Sequence, residues 1–259
     1  MKALVTGCAG FIGSHPADNL LNLDYSVVGI DCFTDYYQRA IKEENIVVAS
    51  GHKDFEFIEE DILEIDRFPS VDYVFHLAAQ SGVRASWGGS FEIYTRNKVE
   101  ATQKLLEFYK SAKIKKFVFA SSPPVYGSGQ RLDMVIYKFI PAILDGGEIV
   151  VYGAGTQARD FTYVDDAVEA NISAANTDLI GEVFNVGGGS GISVNELIKL
   201  TEKITGKTAK IKYMEKKKGD MNDTLADITK ITKLLRWTSK TMMEEGFKRQ
   251  IKWMKSKSQ

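Results

Sequence analysis

Three glycines near the start of the chain are spaced to bind the phosphates of a dinucleotide. Gly7, Gly10 and Gly13 follow a short apolar run at residues 3–5 and precede a segment with helical spacing of its apolar residues. A strand, a glycine-rich turn and a helix place the N-terminus of the helix against a pyrophosphate. The glycines permit a sharp turn, close approach of the backbone to the phosphates and close packing of helix against strand. Glycines also serve ordinary turns, so the pattern needs a second observation.

That second observation is Asp31, which ends the next apolar run at residues 25–30. It lies about 20 residues beyond the glycines, where a carboxylate hydrogen-bonds the adenosine ribose of NAD and disfavours a 2′-phosphate. The two features together favour an NAD site over the alternative of two buried strands with incidental glycines.

Further strand-like segments, at residues 55–62, 71–79 and 116–122, alternate with helical segments. Strands separated by helices predict an α/β fold with a doubly wound parallel sheet, whose ligands gather at the carboxyl ends of the strands. Asp61 ends one of these segments, where it could accept from the adenine amino group or cap a following helix. Beyond them, residues 183–186 are predicted to form a strand, and Ser193 with Glu196 to cap a helix.

Composition excludes several classes of protein. The net charge of the 259 residues is −1, so no global field attracts nucleic acid or an anionic membrane, and no apolar run is long enough to span a bilayer. The two cysteines, Cys8 and Cys32, make no disulfide framework and favour a reducing, cytoplasmic location. The three histidines are not spaced with the cysteines as metal ligands, so no metal site is predicted.

Motifs along nearly the whole chain resemble those of the NAD-dependent epimerase/dehydratase family, the extended short-chain dehydrogenases that act on nucleotide sugars. The strings that carry the resemblance are TGCAGFIG at 6–13, HLAA at 76–79, SS…VYG at 121–127, RDFTYVDD at 159–166 and GD…AD at 219–227. The strings DYY at 35–37 and AQSGVR at 79–84 are most similar to UDP-glucuronate 4-epimerases and their UDP-glucose relatives.

The resemblance implies a Rossmann domain that binds NAD and a smaller C-terminal lobe that binds a nucleotide sugar. The NAD domain is expected at residues 1–128, with 164–190 returning to it, and the lobe at 129–259. By the resemblance and the glycine spacing, the residues expected to bind NAD are Gly7, Gly10, Phe11, Ile12, Gly13, Asp31, Asp61, Ile62, Leu77, Ala78 and Ala79.

The same resemblance assigns residues to the UDP-sugar. Ser122 takes the place of the catalytic hydroxyl that hydrogen-bonds the 4-oxygen of the sugar. Arg159 is expected at the diphosphate, which suits a guanidinium fork, although a salt bridge to a neighbouring aspartate is the alternative. Lys217 has the register of a second diphosphate ligand, or belongs to a solvated charge run, and Asp220 has that of a ribose-binding acid.

The implied activity is 4-epimerisation of a UDP-sugar through a 4-keto intermediate. A nucleotide-sugar 4,6-dehydratase or decarboxylase is the alternative enzyme, although Pro123 and Pro124 stand where dehydratases carry an Asp-Glu pair. A homodimer is expected from the resemblance alone.

The family pattern breaks after Tyr126. The family carries its catalytic tyrosine and lysine as YxxxK on a helix between two VYG strings, where the lysine favours the phenolate that acts as base. Here VYG at 125–127 runs straight into SGQRLDM at 128–134, which resembles the stretch after the family's second VYG string. Three other YxxxK strings, beginning at Tyr94, Tyr109 and Tyr213, are out of register and are not assigned.

Two explanations of the break compete. Either the sequence as read leaves out a segment of a complete enzyme, or the polypeptide truly lacks it and is an inactive protein that binds NAD or a UDP-sugar. The first is favoured because losing a strand and its covering helix would expose core and sheet edge. Consecutive backbone geometry between residues 126 and 131 tests it.

Overall fold

The computed structural model describes residues 1–82, 86–121, 125–130, 134–189, 191–216 and 223–257. The chain forms two compact units of similar length, one from Met1–Ser121 with Ala174–Asn176 and the other from Ser122–Ser173 with Thr177–Gln259. The domain boundaries expected from the sequence remain a prediction. No helix among the described residues combines the length and the hydropathy needed to span a membrane.

The first unit is built on a five-stranded parallel sheet in the order β3-β2-β1-β4-β5. Its strands are β1 (Lys2–Thr6), β2 (Ser26–Asp31), β3 (Phe55–Glu59), β4 (Tyr73–His76) and β5 (Lys116–Phe119). The central strands β1, β2 and β4 are buried along nearly their whole length, as continuous apolar runs covered on both faces should be. The predicted doubly wound α/β fold is confirmed.

Helices cover both faces of this sheet. They are α1 (Phe11–Asn22), α2 (Arg39–Asn45), α3 (Val47–Ser50), α4 (Phe91–Tyr94) and α5 (Ala101–Tyr109). On one face, Ala17 and Leu20 of α1 pack with Val5 and Phe75. On the other, Leu105 of α5 packs with inward-facing residues of β1 and β4. The helix expected before β5 is present, but a six-residue π-helical segment, Thr95–Glu100, separates α4 from α5.

The sheet ends at β5, beyond which no described strand pairs. Phe119, at the end of β5, is 54% exposed, and Val99 and Leu106 on the neighbouring helical segment are also exposed. The sequence analysis predicted that losing a strand and its covering helix would expose apolar side chains at the sheet edge. The structure shows such exposed side chains.

The second unit contains short strands and longer helices. Its strands are β6 (Val125–Tyr126), β7 (Glu148–Tyr152), β8 (Ala158–Arg159), β9 (Thr162–Tyr163), β10 (Ile192–Ser193), β11 (Lys210–Met214) and β12 (Asp223–Thr224). Its helices are α6 (Val135–Leu144), α7 (Val164–Ala175, whose last residues join the first unit), α8 (Val194–Thr205), α9 (Thr229–Leu235) and α10 (Met243–Lys257). The strands pair as β10-β8-β12, β11-β7 and β6-β9.

Two local predictions for the second unit have different outcomes. The capping box of α8 is confirmed, because Ser193 accepts from the Glu196 N–H while the Glu196 side chain accepts from the Ser193 N–H. The prediction of a strand at residues 183–186 is wrong, because these residues form no ladder. Phe184 and Val186 instead pack against the cluster around Trp237.

At the break in the family pattern, the chain makes a tight turn. The Gln130 N–H donates to the Gly127 carbonyl oxygen at 3.2 Å, and Gly127 and Gly129 have φ values of 141° and 77°. The buried Gln130 side chain donates to the Val125 carbonyl oxygen at 3.2 Å. These two hydrogen bonds close the turn within residues 125–130, and both explanations of the break stay predictions.

Candidate functional site

The glycine turn lies against the carboxyl end of β4 with no room for side chains. A Cβ atom on Gly7, whose φ is 69°, would lie 2.8 Å from the Ala78 nitrogen. A Cβ atom on Gly13 would lie 2.0 Å from the Gly7 carbonyl oxygen. The Gly7 N–H donates to the Ile30 carbonyl oxygen of β2 at 2.8 Å. The structure thus brings the turn, the end of β2 and the end of β4 together.

Helix α1 begins directly at this turn and presents its N-terminus without a side-chain cap. Its N-cap residue, Gly10, makes no side-chain hydrogen bond, and its first turn contains no acidic residue. Free N–H groups and the positive end of the helix dipole favour an anion at such a position. Phe11 and Gly13 are buried in this first turn, and Ile12 is half-buried.

Asp31 is held beside the turn by two backbone hydrogen bonds. The Ala9 N–H donates to Asp31 Oδ2 at 3.2 Å, and the Phe33 N–H donates to Asp31 Oδ1 at 2.9 Å. A carboxylate oxygen can accept more than one hydrogen bond, so both oxygens retain capacity for ribose hydroxyls. The glycine approach, the uncapped helix and this oriented acid fit an adenine dinucleotide.

The capping interpretation of Asp61 finds support in part, and its contact with the adenine amino group stays a prediction. Its Oδ1 accepts from the Leu63 N–H at 2.9 Å and caps a turn, not a helix. Its Oδ2 accepts from Arg96 Nη1 at 2.7 Å, a partner that sequence reasoning missed. Arg96 lies in the π-helical segment, where residues are spaced differently from an α-helix. No pattern in the sequence predicts this change of spacing. The neighbouring Ile62 is buried in the core beneath α5.

A buried hydroxyl organises the end of β4. Thr6 Oγ1 lies 2.7 Å from His76 Nδ1 and accepts from the N–H groups of Leu77 and Ala78, each at 3.2 Å. His76 Nε2 lies 2.9 Å from Thr102 Oγ1 of α5. These bonds fix the predicted cofactor strand end at residues 77–79, of which Leu77 and Ala78 are half-buried and Ala79 is exposed.

His76 should make the fold less stable in mild acid. The residue has no exposed surface, and burial lowers its pKa from 6.5 to about 4. Since the unfolded chain binds this proton first, the stability present above pH 6.5 is lost as the pH falls towards 4, by about 3 kcal/mol. We expect His76→Asn to flatten this part of the pH dependence of the free energy of urea unfolding. The matched control is His52→Asn at a more exposed histidine, and equal slopes in the two variants would refute the assignment.

The substrate residues predicted in the second unit are only partly described. Arg159 is half-buried in β8 and is paired in register with Thr224 of β12. Its Nη1 donates to the Ala158 carbonyl oxygen at 2.8 Å. Two aspartates lie near it in the sequence: Asp160 accepts from the Ala226 N–H at 3.1 Å, and Asp165 lies 3.7 Å from Arg249. Ser122, Lys217 and Asp220 lie outside the described residues.

The tyrosines of two unassigned YxxxK strings have structural hydrogen bonds. The Tyr94 hydroxyl donates to the Ser81 carbonyl oxygen at 3.0 Å, and Lys98 Nζ lies 5.2 Å from the Tyr94 ring centroid. The Tyr109 hydroxyl donates to the Pro69 carbonyl oxygen at 2.8 Å, and burial raises the pKa of this hydroxyl. Within the described part of the chain, no group of three or more histidine, cysteine or acidic residues could hold a metal ion.

Comparison with known proteins identifies relatives over almost the full chain. A UDP-glucuronate 4-epimerase from Thermodesulfobacterium geofontis is 34% identical over 97% of this chain and 95% of its own length. An uncharacterized UDP-glucose epimerase from Bacillus subtilis is 32% identical over 99% and 98% of the two chains. The crystal structure of UDP-glucuronic acid 4-epimerase from Bacillus cereus with UDP-glucuronic acid and NAD is 34% identical, covers 99% of each chain and has a TM-score of 0.92.

The alignments also locate the missing segment. The match to the Bacillus subtilis relative extends over 311 positions, 52 more than the 259 residues of this chain. The model of the NAD dependent epimerase/dehydratase family matches residues 3–134 and again 126–187, so that 126–134 are matched twice. This overlap coincides with the turn at residues 127–130. Here the chain has one VYG string where the family pattern has two. Because the family model matches more than half of this chain, the chain belongs to the NAD-dependent epimerase/dehydratase family. It lacks one internal segment of the family pattern.

Proposed function

We propose that this protein binds NAD and a UDP-sugar at the site of a 4-epimerase of the UDP-glucose or UDP-glucuronate type. The observation that carries the proposal is the close approach of the glycine turn to the end of β4, beside an oriented Asp31. Relatives that match nearly the whole chain include a UDP-glucuronate 4-epimerase, and the Bacillus cereus enzyme was crystallised with UDP-glucuronic acid and NAD.

The first unit supplies the residues for NAD. The N-terminus of α1 would bind the pyrophosphate, and Asp31 would bind the adenosine ribose. The backbone of residues 77–79 would line the path towards the nicotinamide. When bound, NAD takes a hydride from C4 of the sugar and returns it to the other face. The protein's own task is to position both molecules and to move the proton of the 4-hydroxyl.

The second unit is proposed to hold the UDP-sugar. Arg159 and Lys217 would meet the diphosphate and Asp220 the ribose, because these positions match the family motifs. Ser122 would hydrogen-bond the 4-oxygen. A guanidinium such as that of Arg159 can bind phosphate oxygens with two parallel hydrogen bonds, which fixes orientation as well as affinity.

Proton transfer is the step for which this chain lacks the family's residues. The catalytic tyrosine and lysine belong to the absent segment, and Tyr94 and Tyr109 already donate to backbone carbonyls. This observation favours a second candidate function, an inactive protein that retains its two binding sites. A 4,6-dehydratase or decarboxylase remains the alternative reaction.

Incubation with NAD and either UDP-glucose or UDP-glucuronate, followed by NMR of the sugar protons, tests the proposal. Formation of the C4 epimer supports a working 4-epimerase, and a 4-keto-6-deoxy or decarboxylated product supports the alternative reactions. Calorimetric binding of NAD and UDP without any turnover supports the inactive binding protein. Failure to bind either ligand contradicts the proposed function.

The remaining proposals concern assembly and location. We propose a homodimer in the cytoplasm with only small molecules as ligands. Exposed apolar side chains on the segment that includes α4 and α5, such as Phe91, Val99 and Leu106, support self-association. The free thiols of Cys8 and Cys32 support a reducing compartment. Sedimentation velocity would measure the assembly directly.

A further inference from the structure

A second carboxylate stands beside the ribose-binding acid. Asp31 of β2 and Glu59 of β3 are paired in register, so their Cα atoms are about 4.8 Å apart at the carboxyl edge of the sheet. Because in-register residues of parallel strands share a face, Glu59 lies on the same side of the sheet as Asp31.

Arg39, the first residue of α2, is bound entirely by carboxylates. Its Nη1 and Nη2 donate to the two oxygens of Glu59 at 2.6 and 2.7 Å, and its Nε donates to Glu43 at 2.6 Å. These bonds raise the pKa of Arg39, with Glu59 the larger cause, and Arg39 lowers the pKa of Glu59. All three guanidinium nitrogens therefore already have anionic partners.

The guanidinium also contacts the ring of Phe33, the residue whose backbone N–H binds Asp31. Its Cζ is 4.3 Å from the centroid of the Phe33 ring, and the Phe33 N–H donates to Asp31. Lys42 is the other nearby cation, but it is buried and its Nζ donates to the Thr34 carbonyl oxygen at 2.7 Å and to Thr34 Oγ1 at 3.0 Å. Arg39 is thus the exposed cation that pairs with Glu59, the in-register neighbour of Asp31.

We propose that Glu59 and Glu43 withhold Arg39 from a ribose 2′-phosphate, and that this ion-pair cluster is a second determinant of NAD over NADP besides Asp31. A guanidinium fork is a strong ligand for phosphate, but here three of its five N–H donors, including one on each Nη, are already bound to carboxylates. Against the charges of Arg39 and Lys42 stand the three carboxylates of Asp31, Glu43 and Glu59, so a 2′-phosphate would meet a net negative environment. The inference rests on the proposed NAD site in the first unit and needs no turnover.

Dissociation constants for NAD and NADP, measured by calorimetry on the full chain, test this inference. We expect the Glu43→Gln/Glu59→Gln variant to bind NADP about 10-fold more tightly than the unmodified chain, as one charge-assisted hydrogen bond would allow. Its affinity for NAD should change by less than about 3-fold, because Asp31 is retained. Adding Arg39→Met to this variant should remove the gain for NADP.

Glu56→Gln is the matched control, because Glu56 lies on the same strand but pairs with Lys2 at 3.6 Å. Unchanged NADP affinity in the double glutamine variant, or a gain that survives Arg39→Met, would overturn the inference. Equal shifts for NAD and NADP would also overturn it, since they would indicate that the cluster only braces α2. Failure of the unmodified chain to bind NAD would overturn this inference and the proposed cofactor site together, whereas NAD binding with unaltered selectivity overturns the inference alone.

Discussion

Gly13→Ala should abolish measurable NAD binding and destabilise the fold by about 3 kcal/mol, a large effect for one added methyl group. The new Cβ atom would lie 2.0 Å from the Gly7 carbonyl oxygen and 2.7 Å from its carbonyl carbon. Both are backbone atoms, so relief requires α1 to move away from the turn. That movement would displace the helix N-terminus from the position at which it meets the pyrophosphate.

Urea unfolding and calorimetric titration with NAD would measure the two effects. Gly51→Ala is the matched control, because Gly51 has a φ of −82° and its added Cβ would have only ordinary contacts, the nearest at 3.5 Å. Normal NAD affinity in a folded Gly13→Ala protein would contradict the assignment of this turn to the cofactor.

Restoring the absent segment should increase turnover by at least about 100-fold, the lower range of what a positioned acid–base group contributes. The graft would follow the family pattern and extend from the residue after the first VYG string through the second. Inserted between Gly127 and Ser128, it would end in a glycine that takes the place of Gly127 in the turn within residues 127–130. The added strand is expected to pair with the open side of β5.

The control for the graft is the same chimera with phenylalanine in place of the tyrosine of its YxxxK string. We expect this control to bind NAD and the UDP-sugar as the active chimera does but to show no increase in turnover. Rates that are equal in both chimeras, measured by NMR of the C4 epimers, would show that the missing tyrosine does not limit the reaction.

The sequence predicts best those parts of the fold that local pattern determines. The turn at Gly7, Gly10 and Gly13, the acid at Asp31 and the box at Ser193 each depend on residues close together in the chain, and the structure contains all of these elements. The alternation of strand and helical segments was sufficient to predict a doubly wound sheet, and its strands β1, β2 and β4 are buried nearly throughout.

What the sequence could not predict depends on tertiary contacts. The pairs between Arg96 and Asp61 and between Arg39 and Glu59 join residues 35 and 20 positions apart, through side chains that any surface helix could carry. Residues 183–186 have strand composition but pair with no described strand, so Phe184 and Val186 pack against the core without a ladder while Val183 is exposed. Two-residue strands such as β6 and β9 exist only because they pair with each other.

The open side of β5 also affects how this protein behaves in concentrated solution. The side of β5 that pairs with no described strand, beside the exposed Phe119, is a template onto which a strand of another molecule can add, the first step of edge-to-edge aggregation. The sequence places Lys116 at one end of this short strand and Pro123 with Pro124 beyond the other, residue types that natural proteins use as gatekeepers against such growth. The template is therefore only a few residues long, and precipitation through it should depend steeply on protein concentration.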